Sequence, residues 1–104
     1  MEKTLSREER EAAMYLKYGR LCSVRAADSK ADAKLRTGNG YMVFSRLRRP
    51  EVKAAMIGDA DPFYVQKAQT GEAMGYLWRA MTAYERDAWT NLSSGVPIRS
   101  EYII

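Results

Sequence analysis

The chain contains no histidine and a single cysteine, Cys22. Those two scarcities exclude a good deal. No internal disulfide can form. Zinc sites need several His or Cys ligands, and nucleophilic triads need a histidine or its substitute, so neither chemistry has the residues it requires. No cofactor, metal or catalytic residue is therefore expected, and the chain reads as a non-enzyme. No apolar run approaches the roughly 20 residues of a membrane-spanning helix. The first residues lack the apolar stretch of a secretory signal, and Glu2, Glu8, Glu9 and Glu11 make them too acidic for a transit peptide. Only three prolines occur, and no internal repeat or low-complexity tract is present.

What the chain has is a small, mostly helical composition. Its 104 residues suffice for one domain. Hydrophobic residues make up 46%, with seven Tyr, two Trp and two Phe, enough for a compact core. The net charge is +4, unevenly spread. Residues 1–37 carry nine cations and six acids, and residues 38–56 carry Arg46, Arg48, Arg49 and Lys53 against Glu51 alone. Residues 57–104 have four cations and six acids. A polyanion would thus meet the middle of the chain, with the N-terminal arm as a second candidate.

Ser6-Arg7-Glu8-Glu9 is a capping box, opening a helix expected from Arg7 to about Ala27. Met14, Tyr18, Leu21, Cys22 and Arg25 share one of its faces, with Ala13 and Leu16 beside it. This helix should pack on the main domain or on a partner protein. Residues 28–38 hold only Leu35 as a large apolar side chain and read as a linker closed by Gly38. The expected segments are thus an N-terminal helix and linker over 1–37, a main domain over 38–94 and a tail over 95–104.

A first main-domain helix runs from about Gly40 to Met56. Tyr41 and Phe44 are expected inward, while Met42, Ser45, Arg46 and Arg49 fall elsewhere on its surface. Arg46, Arg48 and Arg49 form either a solvated face or a phosphate-contacting one. Pro50 should kink this helix or end its first segment. Asp61-Pro62 pairs an N-cap with a first-turn proline and starts a second helix reaching about Ala80. Thr82-Ala83-Tyr84-Glu85 is another capping box, for a third helix to about Leu92 with Trp89 inward. The tail from Ile98 to Ile104 is apolar at its end and could fold back. The expected class is all-α.

Three blocks in order carry a resemblance. They are Asn39-Gly40-Tyr41-Met42-Val43-Phe44-Ser45-Arg46, then Gly75-Tyr76-Leu77-Trp78-Arg79-Ala80-Met81-Thr82, then Glu85-Arg86 with Trp89. Together they resemble the HMG box over about residues 36–93. The resemblance implies an L-shaped three-helix fold, here with an additional N-terminal helix, that binds the DNA minor groove and bends the duplex. It implies that Asn39 donates to base edges, that Tyr41 lies along the groove floor, and that Met42 is an apolar wedge between base pairs. Ser45, Arg46, Arg49 and Lys53 would contact backbone or groove edge, and Arg36 would match the basic residue before the box. Phe44, Trp78 and Trp89 would be the core aromatics. The bend of roughly tens of degrees belongs to the family and is not obtained from these residues.

The implied roles suit the chemistry. The minor groove offers mainly acceptors, which an amide N–H can meet. An unbranched, polarizable methionine adapts to a partly unstacked step. The sequence also departs from the family pattern. Thr37 stands where many boxes have proline, and the Asn39-to-Trp78 spacing is several residues longer. Thr70-Gly71 replaces a polar–aliphatic pair, leaving a second wedge to Phe63 or Tyr64, and no basic run follows the third helix. The function implied is a DNA-bending architectural protein of low sequence specificity, acting on double-stranded DNA in the nucleus, a virion or another DNA-containing compartment. The alternative is an HMG-like fold used as a protein–protein assembly module, with the N-terminal helix as one contact.

Overall fold

A computed structural model describes residues 5–59 and 70–95, and they are all helical apart from turns and connections. The elements are α1 (Arg7–Tyr18), three short 3-10 turns (Gly19–Leu21, Ala26–Lys30 and Ala33–Arg36), α2 (Gly40–Gly58), α3 (Thr70–Ala80) and α4 (Ala83–Ser93). Residues expected to begin the second helix at Asp61-Pro62, to supply Phe63 and Tyr64, and to form the tail from Ile98 lie outside the described residues.

Capping chemistry sets the starts of α1, α2 and α4. Ser6 Oγ accepts from the Glu9 N–H at 3.2 Å, and the Glu9 carboxylate accepts from the Ser6 N–H at 3.2 Å. Thr82 and Glu85 repeat the reciprocal pair at 3.1 and 3.0 Å. Asn39 Oδ1 accepts from the Met42 N–H at 2.9 Å and starts α2. Each such cap satisfies a donor that the first turn otherwise leaves without an intrahelical partner, and is worth about 1 kcal/mol.

The first helix ends at Tyr18, well before the expected Ala27. The reason lies in what the following carbonyls do. Trp89 Nε1 donates to Cys22 O at 2.8 Å, and Arg48 donates to Leu21 O and Ser23 O, each at 3.0 Å. Those three oxygens serve side chains of α4 and α2 and are not used to continue a helix. Gly19, a poor helix former, stands where the geometry tightens. Leu21 and Cys22 are buried as expected of the inward face, but beyond the end of α1, whereas Arg25 from the same expected face is only half-buried.

Residues 28–38 also differ from a bare linker. Asp28 is 6% exposed and its carboxylate accepts from both terminal nitrogens of Arg48, which is 2% exposed. Arg48 is therefore neither a solvated cation nor available to phosphate. Its guanidinium also lies over the Trp89 ring, 5.0 Å from the centroid. Four hydrogen bonds from one buried guanidinium tie the segment after α1 to α2. Leu16 turns away from the packed face and is 88% exposed.

The core is continuous across these parts. Met14 and Tyr18 from α1 join Val43, Phe44, Val52 and Met56 from α2, Met74 and Leu77 from α3, and Trp89 and Leu92 from α4. Phe44 sits between the two tryptophans, 5.4 Å from Trp89 and 6.0 Å from Trp78, with Tyr41 edge-on to Trp78 at 5.8 Å. Trp89 and Phe44 are fully buried, whereas Trp78 is half-buried at the margin. Residues 5–36 thus share the core of residues 40–93. α1 lies against α3, and α2 packs on both α4 and α3. Two polar contacts pin α1: Arg79 Nε to Glu11 at 2.7 Å, and Tyr15 Oη to the Glu85 carboxylate at 2.7 Å.

α2 passes through Pro50 without ending there. Pro50 is exposed, so its ring and the lost hydrogen bond are accommodated on the solvent side. The helix stops at Gly58, two residues beyond the expected Met56.

Candidate nucleic-acid interface

On α2, residues spaced three and four apart fall on one line. Asn39, Met42, Arg46, Arg49 and Lys53 occupy such a line at steps of three, four, three and four, and all five are exposed. The stripe holds one amide, one apolar side chain and three cations, with no carboxylate among them. The only acid of the helix, Glu51, is turned to another side, where it pairs with Arg25 at 2.8 Å and lies 3.6 Å from Arg48. α2 therefore separates its charges: the Arg48–Asp28 and Arg25–Glu51 pairs lie behind, and the cationic line in front has no carboxylate partner among the described residues. Because α1 packs on α3, it leaves this line open.

Each member is positioned by something local. The Asn39 cap uses the amide oxygen and not the N–H donors, the groups an acceptor-rich groove would need. Met42 is 40% exposed and folds over Gly38. A Cβ at Gly38 would come within 2.8 Å of the Met42 sulfur, and Gly38 has φ +101°, a left-handed backbone that glycine adopts without strain. Gly38 thus makes the seat on which Met42 rests. Arg49 Nη2 donates to Ser45 Oγ at 3.2 Å, which holds the guanidinium against the helix. Gly71, in the first turn of α3, faces that guanidinium with no closer atom in the way; a Cβ there would stand 3.6 Å from Nη2.

Not every residue named from sequence reaches the surface in the same manner. Ser45 is buried at 8% exposure and orients Arg49. Tyr41 is half-buried against Trp78. Arg46 is exposed, but its Nη1 donates to the Thr37 carbonyl and, at 3.3 Å, to Thr37 Oγ1, so it braces the strand leading into α2. Arg36 donates to Ala31 O at 2.9 Å and is half-buried. Lys53 is exposed at the far end. Helical spacing does set Arg48 in line with Phe44 and Val52, both buried, but its partner, Asp28, lies twenty residues away in a segment without pattern.

Glu11, Tyr15 and Cys22 have displaced pKa values. Burial, then the bond to Glu85, pushes the Tyr15 hydroxyl up to about 12. Burial pushes the Cys22 thiol up to about 12, with the nearby Glu85 charge adding to it. The hydrogen bond from Arg79 holds Glu11 below its ordinary value. The stripe itself presents charge and an apolar shape. Among the described residues, no three His, Cys, Asp or Glu side chains gather where a metal could sit. Compared with protein-family models, curated proteins and solved structures, the chain matches none of them.

Proposed function

We propose that this protein is a DNA-bending architectural protein built on an HMG-box-like arrangement of α2, α3 and α4, acting on duplex DNA in the nucleus or another DNA-containing compartment. The observation that carries the reading is the open line Asn39, Met42, Arg46, Arg49 and Lys53 on α2. An apolar side chain flanked by an amide and three cations fits a groove with acceptor edges and phosphate walls. Met42 serves as the wedge, Asn39 as the base-edge donor, and Arg49 and Lys53 as phosphate contacts. Arg46 acts in part by fixing the entry strand. With few base-specific donors on the line, binding discriminates little among sequences. The chain performs no catalysis in this reading.

The test is a salt titration of duplex binding. Each phosphate neutralised contributes about 0.9 to the slope of log K against log salt. The two phosphate contacts, Arg49 and Lys53, correspond to a slope of about −2, and Lys53→Ala should lower its magnitude by about 1. Absence of binding even at about 20 mM salt would remove the proposal.

A second reading, an assembly module with an HMG-like fold, is favoured by one observation. Arg46 already satisfies a carbonyl of its own chain, which reduces the cationic strength offered to DNA. Under that reading the purified protein ignores DNA and binds a partner protein stoichiometrically.

A further inference from the structure

The outward face of α1 has no role in the DNA reading, yet its composition is ordered. Glu8, Ala12, Leu16 and Arg20 follow one another at four-residue steps, a row that winds by about 40° per step around α1. Arg20 lies in the 3-10 turn that continues the helix, and all four are exposed. The Arg20 guanidinium is held over the end of α1 by donating to Lys17 O at 2.6 Å. Leu16 is 88% exposed, the highest value among the exposed large apolar side chains of the described residues. Next to it is a shallow apolar depression of about 310 Å³ between α1 and the end of α3, lined by Glu8, Glu11, Ala12, Tyr15, Leu16 and Ala80.

We infer that this face pairs with the same face of a second copy of the chain, the two α1 helices running antiparallel. The order of residues is what selects that occupant. A two-fold interface must be self-complementary, since each surface meets itself reversed. Read in reverse, the series acid, small, large, base becomes base, large, small, acid. Placed opposite each other about their midpoint, Glu8 meets the partner's Arg20, and Ala12 meets the partner's Leu16. The large side chain of each copy enters the depression beside the small one of the other. The acidic first turn, Glu8 and Glu9, and the basic last turn, Lys17, are thereby brought against their opposites. A parallel pairing would instead set acid on acid and leucine on leucine. The contact spans about 18 Å, the rise from residue 8 to residue 20, so it is small and reversible.

The inference is independent of DNA binding and is measured without DNA. Sedimentation equilibrium of the full chain from about 10 to 1,000 µM should show a monomer–dimer equilibrium. Leu16→Glu should leave only monomer, with an unchanged circular-dichroism melt because the side chain is solvent-facing. Glu8→Arg and Arg20→Glu should each weaken dimerisation about 3- to 20-fold, two exposed charge pairs being lost per dimer. The double variant Glu8→Arg/Arg20→Glu should restore it. A monomer at every concentration overturns the inference, as does a dimer indifferent to Leu16→Glu or lacking the charge-swap rescue. A chain that dimerises only when its own tail is altered, for instance in Ile103→Asp, would mean that the tail occupies the depression, and overturns it equally.

Discussion

Replacing Arg48 with methionine isolates the contact that joins the N-terminal segment to α2. Methionine keeps much of the stem and its packing on Trp89 but removes the guanidinium. Four acceptor contacts are lost: two on Asp28, one on Leu21 O and one on Ser23 O. Asp28 is then an unpaired charge at 6% exposure. Breaking a buried pair from one side costs about 3–5 kcal/mol, and each orphaned buried carbonyl would by itself cost about 1–3 kcal/mol. The two routes to the figure agree on several kcal/mol, against a total stability of about 5–15 kcal/mol for a domain. In urea, followed by Trp89 fluorescence, the midpoint should fall by at least about 1 M. Adding Asp28→Asn removes the stranded charge while retaining an acceptor for the Arg25 N–H, which now donates to Asp28 at 2.6 Å. The double variant should therefore be more stable than the sum of the single effects, by about 1–3 kcal/mol. A loss below about 1 kcal/mol for Arg48→Met, or strict additivity in the cycle, would refute the reasoning.

Other substitutions and conditions test separate parts of the account. In Gly40→Ala the new Cβ would lie 2.7 Å from Thr90 Oγ1 and 2.9 Å from Thr90 N, so α2 and α4 must move apart. The helix-propensity gain of about 1 kcal/mol is outweighed by an overpacking cost of about 1–3 kcal/mol, and a thermal melt should show net destabilisation. Tyr15 is raised to about 12 in the folded chain, above an ordinary value near 10. Its stabilising effect is full below about pH 10 and is lost as pH rises toward 12, so Tyr15→Phe should flatten the fall in stability across that window. Cys22, fully buried and with its thiol raised to about 12, should resist thiol reagents at pH 8 until the chain unfolds. Rapid labelling of the native protein would contradict the placement.

The helices that carry their own start signals are legible in the sequence. Ser6/Glu9 and Thr82/Glu85 mark two starts by local hydrogen-bonding chemistry, and both capping boxes form; Asn39, read from the sequence as a DNA contact, turns out to cap α2. Helical spacing puts Trp89 and Phe44 inward, and both are fully buried. The segment between α1 and α2 is not legible, because its shape depends on distant groups: Trp89 takes the Cys22 carbonyl and Arg48 takes those of Leu21 and Ser23. Periodicity sees a continuing helix there, since it counts side chains and not the fate of carbonyls. Ser45 illustrates the same limit on the candidate site. Its position beside the cations suggests contact with a ligand, whereas burial turns it into the anchor of Arg49. Gly38 gives only a turn signal, although the seat it leaves for Met42 follows from its positive φ.

The central claim is that Met42 enters a base step from an exposed line on α2. Energy transfer between dyes at the two ends of a short duplex measures this directly, with wild-type protein and Met42→Ala at saturating concentration and low salt. The account predicts that wild type shortens the end-to-end distance, and that Met42→Ala still binds through Arg49 and Lys53 but leaves the duplex nearly straight. Equal bending by the two proteins, or no binding by wild type, would contradict it.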